Sequence, residues 1–162
     1  MSFPKIKITT FLLIILPSIS PSLASENSPQ KIAITPEFHM HIVNRLGNNK
    51  ILLAHCKSKD NDLGVQNITA GSELSWKFRE NIMWSTLYWC YLAPDKYSHV
   101  SLDVFNFAGH IIPKCDNHGS VWRYSYDCVW FAQDNGVYIR NFATGYDDFV
   151  SSWNKGRLTN LE

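Results

Sequence analysis

The stretch LAHCKSKDNDLGVQNIT, Leu53 to Thr69, runs from an apolar segment through one cysteine into a knot of charges. It leaves through Leu63-Gly64-Val65 to the sequon Asn67-Ile68-Thr69. Asp60-Asn61-Asp62 ahead of a glycine resembles the start of a calcium loop. The third acidic or amide position before the glycine and the distal glutamate of such a loop are missing. The composition is that of a turn: Asp and Asn side chains accept hydrogen bonds from nearby backbone amides, and Gly64 tolerates positive φ. An apolar run, a turn and a short run near GVQNI therefore read as strand, turn and strand.

Outward from this stretch the apolar period stays near two. FHMHIVNRL (38–46) sets Phe38, Met40 and Ile42 against His39 and His41, and ILLAHCK (51–57) is apolar on both faces until His55. ELSWKFR (73–79) sets Leu74, Trp76 and Phe78 against Ser75, Lys77 and Arg79. TLYWCYL (86–92) is aromatic on both faces, and HVSLDVFNF (99–107) alternates again. DCVWFAQ (127–133) and VYIRNF (137–142) flank Asp134-Asn135-Gly136, a strong hairpin signal. Turn residues at Gly47-Asn48-Asn49, Gly71, Pro94-Asp95, Gly109 and Gly119 separate the runs. About eight short strands and no helical window predict an all-β fold, an antiparallel β-sandwich.

The N-terminus carries a different signal. Lys5 and Lys7 precede an apolar run from Ile8 to Leu16, then helix breakers, then Ser22-Leu23-Ala24 with small residues where a signal peptidase cuts. The run is far short of the ~20 residues that span a bilayer. Residues 1–24 are thus expected to be a secretory signal peptide, 25–37 a flexible leader, 38–142 the sandwich domain and 143–162 a tail. The tail carries Tyr146, Phe149, Val150 and Trp153, so it either lies back across a sheet edge or hangs loose. Removing residues 1–24 takes away two lysines and no acid, which moves the formal charge from +1 to −1. Such a balance argues against nucleic acid or an anionic membrane surface as partner, and no later stretch predicts membrane insertion.

The 4 cysteines, Cys56, Cys90, Cys115 and Cys128, form an even set in a secreted chain and contain no CxxC pair. They read as two disulfides, with three connectivities open, rather than as a zinc site. His55 and Cys56 would point to opposite faces of a strand and so not form a thiol–imidazole pair. His39 and His41 share a face as two metal ligands can, but no third ligand is recognisable, and a polar sheet face is the simpler reading. His55, His99, His110 and His118 belong to no motif that places two imidazoles together for acid–base work. There is no GxSxG, P-loop, HExxH or dinucleotide fingerprint. The reading is therefore no enzyme, no metal and no cofactor. Asn67 is expected to carry a glycan, whereas Asn27-Ser28-Pro29 is excluded by its proline. If the cysteines of the 51–57 and 86–92 runs point inward, Leu87, Trp89 and Tyr91 form an aromatic outer face. The tail is expected to cover it; the other course is a docking surface.

These residues resemble the plant self-incompatibility proteins, the S-protein homologues. The likeness begins at HIVNRL with Asn44. It is most specific at HCKSKDNDLG, through His55, Cys56, Ser58, Lys59, Asp60, Asp62, Leu63 and Gly64. It continues through Trp76, Phe78, Leu87 and Cys90 to Cys115, Cys128, Trp130 and Gly136. Met83-Trp84-Ser85 stands where the family usually has a glycine, and the stretch between Cys115 and Cys128 is longer than in many relatives. The resemblance implies a small, secreted, disulfide-bonded β-sandwich without known catalysis, whose founding members recognise pollen through a membrane receptor. With it the pairing predicted is Cys56–Cys90 and Cys115–Cys128, and the knot after Cys56 becomes a turn tied down by a disulfide. The expected interaction surface is Lys57, Lys59, Asp60, Asp62 and Trp89, and the expected partner of a monomeric chain is a cell-surface receptor. The alternative is a carbohydrate- or cell-wall-binding module, which needs two or three exposed, coplanar tryptophans. A secreted hydrolase would need imidazoles or an imidazole and a carboxylate converging in one cleft.

Overall fold

A computed structural model describes residues 35–117 and 124–156. The expected signal peptide, most of the expected leader, His118, Gly119, Trp122 and the last six residues lie outside the described residues. Eleven strands follow in order: β1 (Glu37–Asn44), β2 (Leu52–Lys57), β3 (Asp62–Ile68), β4 (Glu73–Arg79), β5 (Leu87–Asp95) and β6 (Ser98–Asn106). After a 3₁₀ turn at Ile112–Lys114 come β7 (Asp116–Asn117), β8 (Ser125–Gln133), β9 (Gly136–Asn141), β10 (Tyr146–Ser151) and β11 (Asn154–Lys155).

They build two sheets. The first runs β10-β9-β8-β1-β4, with β7 beside β8; the second runs β11-β6-β5-β2-β3. The inner faces meet in one core. From the first sheet come Phe38, Met40 and Ile42 of β1, Trp130 and Ala132 of β8, and Val137 and Ile139 of β9. From the second come Leu52, Ala54 and Cys56 of β2, Cys90 and Leu92 of β5, and Val100 and Val104 of β6. Alternation explains the arrangement: on β1 the odd positions, His39 and His41, turn outward. Phe38 anchors the aromatic part of the core, its ring 4.5 Å from that of Phe105 and 5.1 Å from that of Tyr126.

The expected class is found, with one departure in strand direction. Among the described residues all pairs are antiparallel except β1 with β8, which are parallel, Met40 opposite Cys128 and Ile42 opposite Trp130. Parallel neighbours cannot be joined by a hairpin and need a long crossover. Here that crossover carries β2, β3, β5 and β6 of the second sheet between β1 and β8. The run expected to end near Leu92 continues through Ala93 and Pro94 to Asp95, and its register with β6 shifts between Leu92 and Asp95. A proline has no N–H for the ladder and is tolerated at such an irregularity. Asp95 then closes the turn, its Oδ1 accepting from the Tyr97 N–H at 2.7 Å.

The hairpin expected at Asp134-Asn135-Gly136 is present, Gln133 pairing with Gly136. Gly136 takes φ +151, and a Cβ there would meet the Ser151 carbonyl oxygen of β10. The chain beyond β9 returns along the edges. β10 pairs with β9, and β11 crosses to the second sheet and pairs with Ser98 and His99 of β6. Trp153 lies between them, its Nε1 donating to the Gln133 carbonyl at 2.8 Å.

Cys56 is bonded to Cys90 and Cys115 to Cys128. The first bond lies within the second sheet, where Cys56 and Cys90 are direct cross-strand partners on its core face. The second joins the end of the 3₁₀ turn to β8 beside the short β7 pairing.

Candidate functional site

The knot after Cys56 is a hydrogen-bonded turn. The Ser58 N–H donates to the Asn61 carbonyl at 2.7 Å, and the Asn61 N–H donates to Ser58 Oγ at 3.1 Å. Asp62 Oδ1 accepts from the Gly64 N–H at 2.8 Å, and Gly64 takes φ +70. The same Asp62 oxygen lies 2.6 Å from His55 Nε2. His55 therefore faces outward to Asp62 while Cys56 faces the core. Among the described residues no group of three His, Cys, Asp or Glu is placed to hold a metal ion.

Fixing the turn through Ser58, Asn61 and Asp62 leaves Lys59 and Asp60 exposed, with no ion pair among the described residues. They line a cavity of about 380 Å³ with Ser58, three residues of the β4–β5 connection, Asn81, Ser85 and Thr86, and Leu87 and Trp89 of β5. The remaining expected residues divide. Lys57 is the cross-strand neighbour of Trp89, whereas Asp62 is diverted to His55. The expected cover by the tail is not what the described chain shows. β11 extends the sheet at the β6 edge, Leu87 is 37% exposed, and Trp89 and Tyr91 remain partly exposed.

The β4–β5 connection was not among the expected site residues. It is held from inside by Glu80, a buried side chain whose Oε1 accepts from the Asn81 N–H at 3.2 Å and the Thr86 N–H at 3.0 Å. Asn81 Oδ1 in turn accepts from the Ser85 N–H at 3.1 Å. This frame presents Ile82 and Met83 at 79% and 82% exposure and holds Trp84 at φ +54, a region costly for a bulky side chain. Trp84 packs tilted against Phe107, ring centres 4.5 Å apart, and lines a second, apolar cavity with Pro36, Phe38, Ile112, Tyr124 and Tyr126. Three successive apolar residues between Asn81 and Ser85 were the available sequence signal.

On the outer face of the first sheet the two nitrogens of His39 face carboxylates, Glu37 at 3.0 Å and Asp127 at 3.1 Å. His41 Nδ1 lies 3.0 Å from Glu73, and Ser75 is its cross-strand partner.

Four carboxyls are held below the ordinary carboxylate range. For Glu37 the main cause is the hydrogen bond from His39, and for Asp62 the Gly64 amide followed by His55. For Asp134 it is Lys50, and for Asp148 it is Lys114. A carboxyl with a lowered folded pKa leaves the folded state with fewer protons than the unfolded one. The stability it lends is present above the unfolded value of about 4 and is lost as pH falls through the folded value. Melting temperature should therefore drop as pH is lowered from about 4 toward 2, and Glu37→Gln should shallow that drop. A melting temperature unchanged by acid would contradict these assignments.

Comparison with known proteins gives a consistent result. The family described as plant self-incompatibility protein S1 matches residues 39–153. S-protein homolog 74 of Arabidopsis thaliana is 35% identical over 136 residues, 83% of this chain and 84% of that protein. Self-incompatibility protein S1 of Papaver rhoeas is 35% identical over 118 residues, 73% of this chain and 74% of that protein. A solved structure of an SPH (self-incompatibility protein homologue) protein superposes with a TM-score of 0.53 at 18% identity. It covers 74% of this chain and 96% of that one, which shows a shared fold.

Proposed function

The chain belongs to the plant self-incompatibility protein S1 family, and from that premise we propose that it is a secreted recognition protein whose partner is a receptor on a cell surface. The solved SPH relative is described as one of a family of small, highly stable, secreted proteins from plants. Among the described residues no helix is long and apolar enough to cross a membrane.

One observation carries the reading. Two spare charges, Lys59 and Asp60, stand beside a partly exposed tryptophan in one cavity. The turn and the β4–β5 connection that frame it are internally hydrogen-bonded, so little ordering entropy is lost on contact. Protein recognition concentrates its energy in a few anchored side chains, aromatic ones above all, on loops that a rigid scaffold positions. The action we propose is binding, with no chemical step.

The test is saturable binding of the labelled protein to plasma-membrane proteins of the source tissue. Trp89→Ala and Lys59→Glu should each weaken it about tenfold or more, some 1.4 kcal/mol, with melting temperature unchanged. Binding to polysaccharide with none to membrane proteins would overturn it in favour of the cell-wall module. The described tryptophans offer that module little. Trp130 is buried, and Trp76 and Trp153 pack against the core. Trp84 and Trp89 line different cavities and share no platform.

A further inference from the structure

The second sheet ends at β3, whose single charged residue, Asp62, stands at its start and is engaged by His55; the two outer strands of the first sheet carry more charge. β4 turns Glu73, Lys77 and Arg79 to solvent, and β10 carries Asp147 and Asp148. Charges on an edge strand block pairing with another chain. From Leu63 to Ser72 the sequence holds no charged residue at all, although β3 is the last strand of its sheet.

The surface beside this edge is apolar. On the outer face Leu53 of β2 lies directly opposite Asn67 of β3. Ile51, two residues before Leu53, is 53% exposed, and Val65, two residues before Asn67, is 48% exposed. By strand alternation these three side chains surround Asn67. Single exposed apolar residues are ordinary; a group of them on an uncharged edge is a site of association. At its centre stands the sequon Asn67-Ile68-Thr69, with the Asn67 side chain exposed.

We infer that Asn67 is a glycosylation site whose first sugars cover Ile51, Leu53 and Val65 and close the β3 edge against a second copy of the chain. The donor is an oligosaccharide carried on a lipid diphosphate. The Asn67 amide nitrogen bonds to C1 of the first sugar and gives up one proton. The bond from C1 to the diphosphate oxygen breaks, and its electron pair leaves with the diphosphate. The covered patch is set back from the proposed recognition cavity. Leu53 and Lys57, the latter beside Trp89, are four residues apart on β2, about 13 Å. The glycan thus assigns one end of this face to shielding and leaves the other open.

The experiment uses the full chain secreted from a eukaryotic host. Peptide:N-glycosidase applied to the folded protein should lower its mass and leave aspartate at position 67. The stripped protein carries a new carboxylate at the patch and reports only on occupancy; Asn67→Gln, which removes the glycan and leaves no charge, should shift from monomer to dimer or larger on size exclusion at matched concentration. Adding Val65→Lys to Asn67→Gln places a charge on the bare edge and should restore the monomer. Asn67 unmodified in the secreted protein, or Asn67→Gln eluting as the same monomer, overturns the inference. Neither readout involves receptor binding, so the proposed function and this inference fail separately.

Discussion

Replacing Cys56 and Cys90 together with alanine is expected to cost about 4 kcal/mol, and replacing Cys115 and Cys128 about 3 kcal/mol. The first bond spans a sequence separation of 34 and the second one of 13. Constraint of the unfolded chain grows with the logarithm of the closed loop, which sets the order of the two. The first pair has a second reason to be the larger. Both its cysteines are wholly buried on the core face of adjacent central strands. Losing their sulfurs therefore also removes packing next to Leu52, Ala54 and Leu92. Against a domain stability of about 5–15 kcal/mol, 4 kcal/mol decides whether much of the population folds in the heat. The corresponding fall in melting temperature is roughly 10–20 °C. Denaturant melts of the two double variants, and of the unaltered protein under reductant, measure this. Equal costs, or a larger one for the shorter loop, would show that loop closure is not what sets the contribution. Should the Cys56/Cys90 variant fail to accumulate, the reduced unaltered protein, which lacks both bonds, set against the Cys115/Cys128 variant gives the contribution of Cys56–Cys90.

The parts of this fold that could be read in advance are those fixed by alternation. Phe38, Met40 and Ile42 against His39 and His41 needed only the period of a strand, and so did Leu74, Trp76 and Phe78. Alternation sorts side chains between faces but says nothing about strand direction. The parallel pairing of β1 with β8 was therefore invisible, since it depends on how residues far apart in the chain are brought together. Length was a second limit. β7 and β11 have two residues each, too few to show any period. β10 alternates weakly because it lies at an edge, where neither face is fully covered.

The site divides in the same way. Local chemistry placed the turn at Lys57–Gly64, because Asp, Asn and Gly act on their own neighbours. The same chemistry engages Asp62, which stays exposed but whose carboxylate is used by His55 and the Gly64 amide. The opposite wall of the cavity comes from the β4–β5 connection, some 25 residues further along the chain, and only tertiary folding sets Asn81 and Leu87 against Lys59. There the departure at Met83-Trp84-Ser85 acquires a physical meaning. The backbone at Trp84 is left-handed, where a glycine would sit without strain, and a tryptophan is held there by the hydrogen bonds of Glu80 and Asn81.

Asn44 shows how a polar residue can be as structural as any in the core, and its replacement is the second large effect expected. It is fully buried at the end of β1. Its Nδ2 donates to the Lys50 carbonyl at 2.9 Å and the Ile68 carbonyl at 2.7 Å, and its Oδ1 accepts from the Leu46 N–H at 2.9 Å. Its backbone is bonded to Gly71 and Ser72. One side chain thus ties β1 of the first sheet to the end of β3 in the second and to the connection leading into β2. Asn44→Ala leaves the Ile68 carbonyl and the Leu46 N–H in the interior without this partner, and the half-buried Lys50 carbonyl as well. At about 1–3 kcal/mol for each stranded group, with partial relaxation, the cost should be about 3–5 kcal/mol. Asn44→Asp keeps the shape but puts a carboxylate oxygen against two carbonyls. Burial and those dipoles favour its protonated form, so its pKa should be higher folded than unfolded. The folded variant then binds more protons than the unfolded one, and its stability relative to the unaltered protein should fall as pH rises from 5 to 7. Asn44→Ala has no such group, and its deficit should be the same at both values. Urea melts of the three proteins at pH 5 and pH 7 separate the effects. An aspartate deficit below about 1 kcal/mol, or one indifferent to pH, would mean that these hydrogen bonds do not hold the two sheets together.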